Sequence, residues 1–258
     1  MCSALAWQGG RMVDPAPTAR ARAREAVHAS ILAAARARLT AEGPTQLSLR
    51  QVARDVGLVS SAVYRYFASR DDLLTAILVL DFDELGAAVE DADAARPRTD
   101  VGGRWTAACR AIRTWAIAHP GDFALLYGSP VPGYVAPPDT IEPASRTTHV
   151  LVRVVADAWR NRHADGSAWR GTPVPPPSAP GAVGSAVADA IAYVADRGFA
   201  DDLPDEVVVR TLMAWTTVFG VVSFELFGQA VGSVSDPSAY FDEVTARLAW
   251  DIGFDVAR

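Results

Sequence analysis

Apolar residues recur at helical spacing along nearly the whole chain, while strict strand-type alternation is almost absent, and this restricts the fold to the all-α class. From Thr18 to Glu42, Val27, Ile31, Ala35 and Leu39 return every four residues with Leu32 beside them, and Arg20, Arg24, Arg36 and Arg38 occupy the other face. Gly43 and Pro44 stop that helix. The pattern resumes at 48–57, where Leu49, Val52, Ala53 and Val56 sit at i, i+3, i+4 and i+7 behind a Ser48/Gln51 capping box. With 258 residues, half of them apolar, the chain can bury one large core, or a small one and a larger one.

Gly57 can take the left-handed backbone that ends the second helix, and a third, short helix is expected over 60–67. Val63 and Phe67, four apart and led in by Leu58 and Val59, form its anchoring face against the first helix. Ser60, Ser61, Ala62, Tyr64, Arg65 and Tyr66 are left on the remaining circumference. Tyrosines on a wet surface gain little by burial, but small residues, hydroxyls and a guanidinium suit phosphates and base edges, and a helix of this width fits the DNA major groove. Arg50, on the preceding helix, joins the same candidate surface. A second capping box, Ser69/Asp72 in SRDDLL, opens a long helix toward Ala95 with Arg70 in its first turn. A compact structural three-helix unit whose tyrosines are covered by a neighbour satisfies the same spacing.

Charge is divided along the chain. All 24 basic residues are arginine; ten of them fall in 11–70 against Asp14, Glu25, Glu42 and Asp55, so that segment carries +6 and the rest must carry −12 to reach the net −6. A basic segment on an acidic body can mark a polyanion-binding module, or simply a solvated arginine-rich face.

The helical pattern continues beyond 96. Gly102 to His119 aligns Trp105, Cys109, Ile112 and Trp115; PGDFALLYG gives a short helix starting at proline; Thr140 to His163 gives a long one. SPVPGYVAPPD at 129–139 holds four prolines and TPVPPPSAPG at 172–181 holds five, so both read as irregular or extended loops. The last two helices are expected at 205–229 and 237–254. The first of these is apolar on nearly every side and must be covered on every side, by the domain's centre or by a second copy; Trp215, Phe219, Phe224, Phe227 and, on the last helix, Trp250 are the candidate pairing residues. Its most apolar run, Thr211 to Phe224, is 14 residues long, short of the roughly 20 that span a bilayer.

The stretch LSLRQVARDVGLVSSAVYRYFASRDDLL resembles the TetR/AcrR family of transcriptional regulators over about Val27 to Leu78. YGSPVPGY, with Trp215 and Gly220, resembles the WHG-type C-terminal subgroup of that family. The resemblance implies an N-terminal three-helix DNA-binding domain with a helix-turn-helix (18–68, after a loose tail 1–17) and a larger C-terminal helical domain (69–258) for ligand binding and dimerisation. It implies that Ser60, Ser61 and Ala62 approach bases, that Tyr64, Tyr66 and Arg70 contact phosphates, and that Phe67 is a core pivot. It further implies a homodimer on near-palindromic double-stranded DNA, with recognition helices about 34 Å apart. Its activity would be that of a repressor switched by a small, largely apolar effector. Val59 stands where the family commonly has serine or threonine, so the helix cap is expected to pass to Ser60.

Aromatic residues concentrate after residue 100, and Trp115, Phe123, Tyr127 and Trp159 are the candidate effector-binding rings, although core packing also accounts for such rings. Movement of the 69–95 helix is the expected switch. No cofactor or metal is expected: His28, His119, His149 and His163 are scattered, and HExxH, CxxC, GxSxG and phosphate-loop patterns are absent. Asp157 is the kind of helical carboxylate that acid-base chemistry could use, but such residues are usually only solvated. An enzyme is therefore disfavoured; a ligand-sequestering or scaffolding dimer without DNA binding stays open. Two distant cysteines, Cys2 and Cys109, and an opening without a basic-then-apolar leader point to a reduced, cytoplasmic setting without a membrane partner.

Overall fold

The computed structural model describes residues 18–165, 182–199 and 203–256. The described residues form eleven helices and no strand. The tail 1–17, with Cys2, and the proline-rich 172–181 segment lie outside them.

Helix α1 (Ala19–Glu42) begins at Thr18, whose hydroxyl accepts from the Ala21 amide at 3.2 Å, and ends at Gly43 with φ 77°. Its stripe of Ile31, Leu32, Ala35 and Leu39 is buried as the four-residue spacing requires. Helix α2 (Leu49–Asp55) starts after Ser48, but the Ser48 side chain makes no cap bond; its carbonyl receives the Gln51 and Val52 amides instead, each at 3.0 Å. Gly57, at φ 68°, lets the Leu58 amide fold back on the Ala53 carbonyl at 2.8 Å, the wide 6→1 closure that ends α2 and turns the chain into α3 (Ser60–Val63). Helix α3 is shorter than expected. Its first turn tightens at Tyr64, and the Phe67 amide still reaches the Val63 carbonyl at 3.0 Å, so 64–67 continues the path as turns.

Helix α4 (Arg70–Ala94) starts at Ser69, whose hydroxyl accepts the Asp72 amide at 3.0 Å. Its first half supplies Leu73, Leu74 and Ile77 to the core of α1 to α3, and its second half supplies Leu85 and Val89 to a larger core. Helices α5 (Val101–Ala118), α6 (Pro120–Tyr127), α7 (Ile141–Asp165), α10 (Asp205–Leu226) and α11 (Pro237–Ile252) close around that larger core. Two short helices, α8 (Ala182–Ala186) and α9 (Ala188–Asp196), come between α7 and α10 and pack against α10. Trp105, fully buried on α5, donates its indole N–H to the Thr245 carbonyl of α11 at 2.9 Å.

Asp157 is not merely solvated. It is buried, and holds Arg104 of α5 and Arg98 at 2.8 Å each and Arg160 at 2.7 Å, so it ties α7 to α5. Helix α10 is long and apolar enough to cross a membrane, but its inward side, Val207, Val208, Ala214, Val218, Phe219 and Val222, is packed into the core. Arg210 on that helix is buried and paired with Glu206 at 2.8 Å and Asp251 at 3.2 Å.

Candidate nucleic-acid interface and ligand cavity

Around α3 the side chains separate into two sets. Val63 and Phe67 are buried, and Phe67 stacks on His28 of α1 at 5.0 Å between ring centres. On the opposite side Ser61, Tyr64 and Arg65 are exposed, with Arg50 and Arg54 of α2 exposed beside them. Tyr64 keeps 47% of its surface in water, so no neighbouring segment seals it. Ser60 and Tyr66 are half-buried, and Arg24 of α1 lies over the Tyr66 ring at 5.9 Å.

Four expectations shift. Ala62 is buried against the domain core and serves as a spacer below the exposed face rather than part of it. The helix cap does not pass to Ser60: Val59 holds the N-cap position in extended backbone, and its carbonyl takes the Ala62 amide at 2.9 Å. Val59 itself does not anchor the helix, because 71% of it is exposed at the leading edge of the same surface. Arg70 is half-buried and donates to the Pro44 carbonyl at 2.7 Å, so part of its donor set holds α4 to the loop after α1.

The arginines of this domain divide by use. Arg38 is clamped between Asp55 and Glu42, and its Nη2 reaches Asp55 Oδ1 at 2.9 Å. Arg36, expected on a solvated face, turns inward and meets three carboxylates, Asp81 at 3.1 Å, Glu84 at 2.7 Å and Asp122 at 2.7 Å. This four-residue cluster is the polar seam between α1, α4 and α6. Burial, with the Asp122 charge adding to it, pushes the Asp81 carboxyl up to about 8 against the pull of Arg36. Arg50 and Arg65 make no ion pair among the described residues, which leaves their charge directed at solvent.

The seam is also sterically tight. A Cβ on Gly121 would sit 2.2 Å from Thr40 Oγ1 and 2.6 Å from Thr40 Cα, so only glycine lets the start of α6 approach the end of α1 this closely. Past α6, Val131 packs into the core of the three-helix unit and Tyr134 shares a 2.9 Å hydrogen bond with Thr75 of α4.

Behind this seam lies a cavity of about 810 Å³, bounded by α4, α6, α7, α9 and α10. Leu78, Phe82, Leu126, Val152, Leu212 and Trp215 give it apolar walls. None of the four rings expected around an effector lines it. Phe123 is fully buried in the core, Tyr127 packs on Phe219 at 4.3 Å, Trp115 lies against His119 at 4.9 Å, and Trp159 borders a separate crevice near Phe254. Burial pushes the Tyr127 hydroxyl above its ordinary range, as an apolar packing site would. Asp189 and Tyr193, from the short α9, do line the cavity. Sequence reasoning missed them because the segment between the proline-rich 172–181 stretch and the helix at 205 was not read as helical.

Of the candidate pairing residues, Trp215 lines the cavity and Phe219 is buried in the chain's own core. Phe224, Phe227 and Trp250 remain exposed, at 57%, 45% and 48%.

Comparison with known proteins identifies this architecture. The pattern of bacterial regulatory proteins of the tetR family matches residues 31–77, and that of the tetracyclin repressor-like C-terminal domain matches 105–248. The chain belongs to the TetR family. The HTH-type transcriptional regulator Rv1816 of Mycobacterium tuberculosis is 41% identical over 234 residues, which cover 89% of this chain and 93% of the relative. Mycobacterium bovis has an HTH-type transcriptional regulator, Mb1846, with the same identity and coverage. The solved structure of the regulatory protein SCO4313 superposes with a TM-score of 0.67 at 29% identity, covering 90% of this chain and 98% of that one. The fatty acid degradation regulator FadR from Bacillus halodurans shares the fold at a TM-score of 0.54 and 11% identity, over 86% and 97% of the two chains. As a member of this family the chain is a helix-turn-helix transcriptional regulator, as are the curated relatives it matches.

Proposed function

We propose that the protein is a cytoplasmic homodimeric repressor that holds a near-palindromic operator with Arg50, Ser60, Ser61, Tyr64, Arg65 and Tyr66, and leaves it when a small apolar effector fills the cavity. The observation that carries this reading is the exposed cationic and phenolic face of α2 and α3, opposite a fully buried anchor at Val63. A structural three-helix unit has no use for unpaired Arg50 and Arg65 next to a half-exposed Tyr64, whereas phosphates neutralise such groups. Arg70 keeps donor atoms beyond its bond to Pro44 and sits at the same edge, and Arg54 and the exposed Val59 extend the surface; a valine methyl there suits a thymine methyl.

Dimerisation in this reading uses the outer side of α10 and α11. Met213, Phe224, Tyr240 and Trp250 are each about half exposed there, and Gly220 between them has open space where a side chain would stand. Such a contiguous apolar face with a glycine gap suits close approach by a second copy. Trp215 and Phe219 support the face from beneath.

The effector's signal has a short route. The cavity wall includes Leu125 and Leu126 of α6 and Leu78 of α4, and the same two helices hold Arg36 of α1 through Glu84 and Asp122. A ligand that displaces α6 or α4 would move α1 and, through Ile31 and Leu32, the reading surface. The test is selection of bound duplexes from a random pool by the purified protein. A palindromic consensus with half-sites about one helical turn apart supports the proposal, and recovery of no enriched sequence contradicts it.

A further inference from the structure

The cavity's polar groups point to the chemistry of its occupant, an inference that rests on reading this cavity as the effector site. Three hydroxyls in its wall already give their hydrogens to backbone carbonyls: Thr140 to Pro137, Ser145 to Ile141 and Thr211 to Val207, each at 2.7 Å. Each keeps only lone pairs for a ligand. Asp189, exposed to water at the edge of the space, adds an acceptor carboxylate, and among the described residues no arginine or histidine lines it. Arg197, exposed and over the Tyr193 ring at 3.8 Å, and His149, stacked on that ring at 5.7 Å, lie near this end without joining the lining. Tyr193 completes the polar end: its hydroxyl is buried with no hydrogen-bond partner among the described residues.

We infer that the cavity takes an elongated lipophile whose polar end donates hydrogen bonds, a protonated amine above all, with Asp189 as its counter-charge, and that it rejects carboxylates. A carboxylate brought here would meet the Asp189 charge and the lone pairs of Thr140, Ser145 and Thr211, with the Tyr193 hydroxyl as a donor but no cation in the described wall to balance it. An ammonium group can be met by the Asp189 carboxylate and by hydroxyl lone pairs of the wall, and Leu78, Phe82, Val152 and Leu212 are left for its alkyl chain. The size agrees with this class, because about 810 Å³ is within the range of roughly 300–1,000 Å³ that holds drug-sized ligands.

The experiment is titration calorimetry of the full chain with three probes of equal chain length, each kept below its micelle concentration: decylammonium, decanol and decanoate. Decylammonium binds tightest, decanol next, and decanoate at least tenfold more weakly than decanol. Asp189→Asn brings decylammonium to the affinity of decanol and leaves decanol unchanged. Ala144→Trp, which fills the space, weakens all three at least tenfold while the circular dichroism stays that of the parent. Any other order, or no binding by any probe, overturns the inference. Retention of DNA in the same samples without a probe is measured alongside, so failure of the ligand class is distinguished from failure of the regulator reading.

Discussion

Replacing Asp81 by asparagine tests the polar seam between the reading domain and the body. Asp81 is fully buried, within 3.1 Å of Arg36, and shares that guanidinium with Glu84 and Asp122. Three carboxylates on one cation leave an excess of negative charge in a dry place, and burial first, then Asp122, raises the Asp81 carboxyl from 3.8 to about 8. A carboxyl whose folded value is raised keeps its proton in the fold after the unfolded chain has lost it. Its contribution to stability is therefore complete below about pH 4, falls as pH rises, and is gone above about pH 8. Between pH 6 and pH 9 the slope is about 1.4 kcal/mol per pH unit until the proton leaves near pH 8, so about 2–3 kcal/mol is lost. Asparagine has no proton to lose and leaves Arg36 with Glu84 and Asp122. Urea unfolding followed by circular dichroism, at pH 6, 7, 8 and 9 and one protein concentration, gives the comparison. The parent loses about 2–3 kcal/mol more than Asp81→Asn across that range, and the variant is the more stable of the two at pH 9. Equal slopes for the two proteins would refute the reasoning, because every other titrating group is common to both.

The remaining expectations concern the two interfaces and the lone described thiol. Phe224→Arg places a charge in the centre of the exposed α10 face, and sedimentation equilibrium should show a monomer with an unchanged helical spectrum; a persistent dimer would move the interface elsewhere. Gly121→Ala forces its new Cβ against Thr40, whose Cα is backbone and cannot swing away, and should cost about 1–3 kcal/mol in urea unfolding, with no loss expected only if α6 does not press on α1. Cys109 is fully buried and burial raises its thiol above the ordinary range, so in a Cys2→Ser background it should resist a thiol reagent until the protein unfolds; rapid labelling of the native protein would contradict that burial.

The helices were legible wherever an apolar stripe ran for three turns or more. Val27 to Leu39 and Trp105 to Trp115 announce their burial by spacing alone, and Thr18, Ser69 and Asp236 cap helices through their own side-chain oxygens. Helix α9 escaped notice although Ile191 and Val194 face away from Asp189 and Asp196, because it is only nine residues long and follows closely on the proline-rich 172–181 stretch read as irregular. The exposed face of α2 and α3 was visible in outline, since Val63 and Phe67 four apart define its hidden side. Its register was harder to read: Ala62 faces inward because α3 stops after one turn and tightens, a backbone event that carries no residue signature. Arg36 was beyond reach for a different reason. Its partners Asp81, Glu84 and Asp122 are distant in sequence, and only the packing of α1 on α4 and α6 turns an arginine that spacing assigns to water into an interdomain clamp. The cavity likewise depends on gaps between helices, so large rings such as Phe123 and Tyr127 fill the core instead of lining the space.

The central claim is that the uncovered side of α2 and α3 meets a nucleic-acid backbone, and the most direct measurement is the salt dependence of binding to a duplex selected by the protein itself. Fluorescence anisotropy across a salt series should give a steep linear fall of log affinity with log salt concentration. Arg65→Ala should reduce that slope by about 0.9 for each protomer bound, hence about 1.8 for a dimer, and Tyr64→Ala should weaken binding at every salt concentration. A slope unaffected by Arg65→Ala, or affinity indifferent to both replacements, would contradict the assignment of this face to DNA.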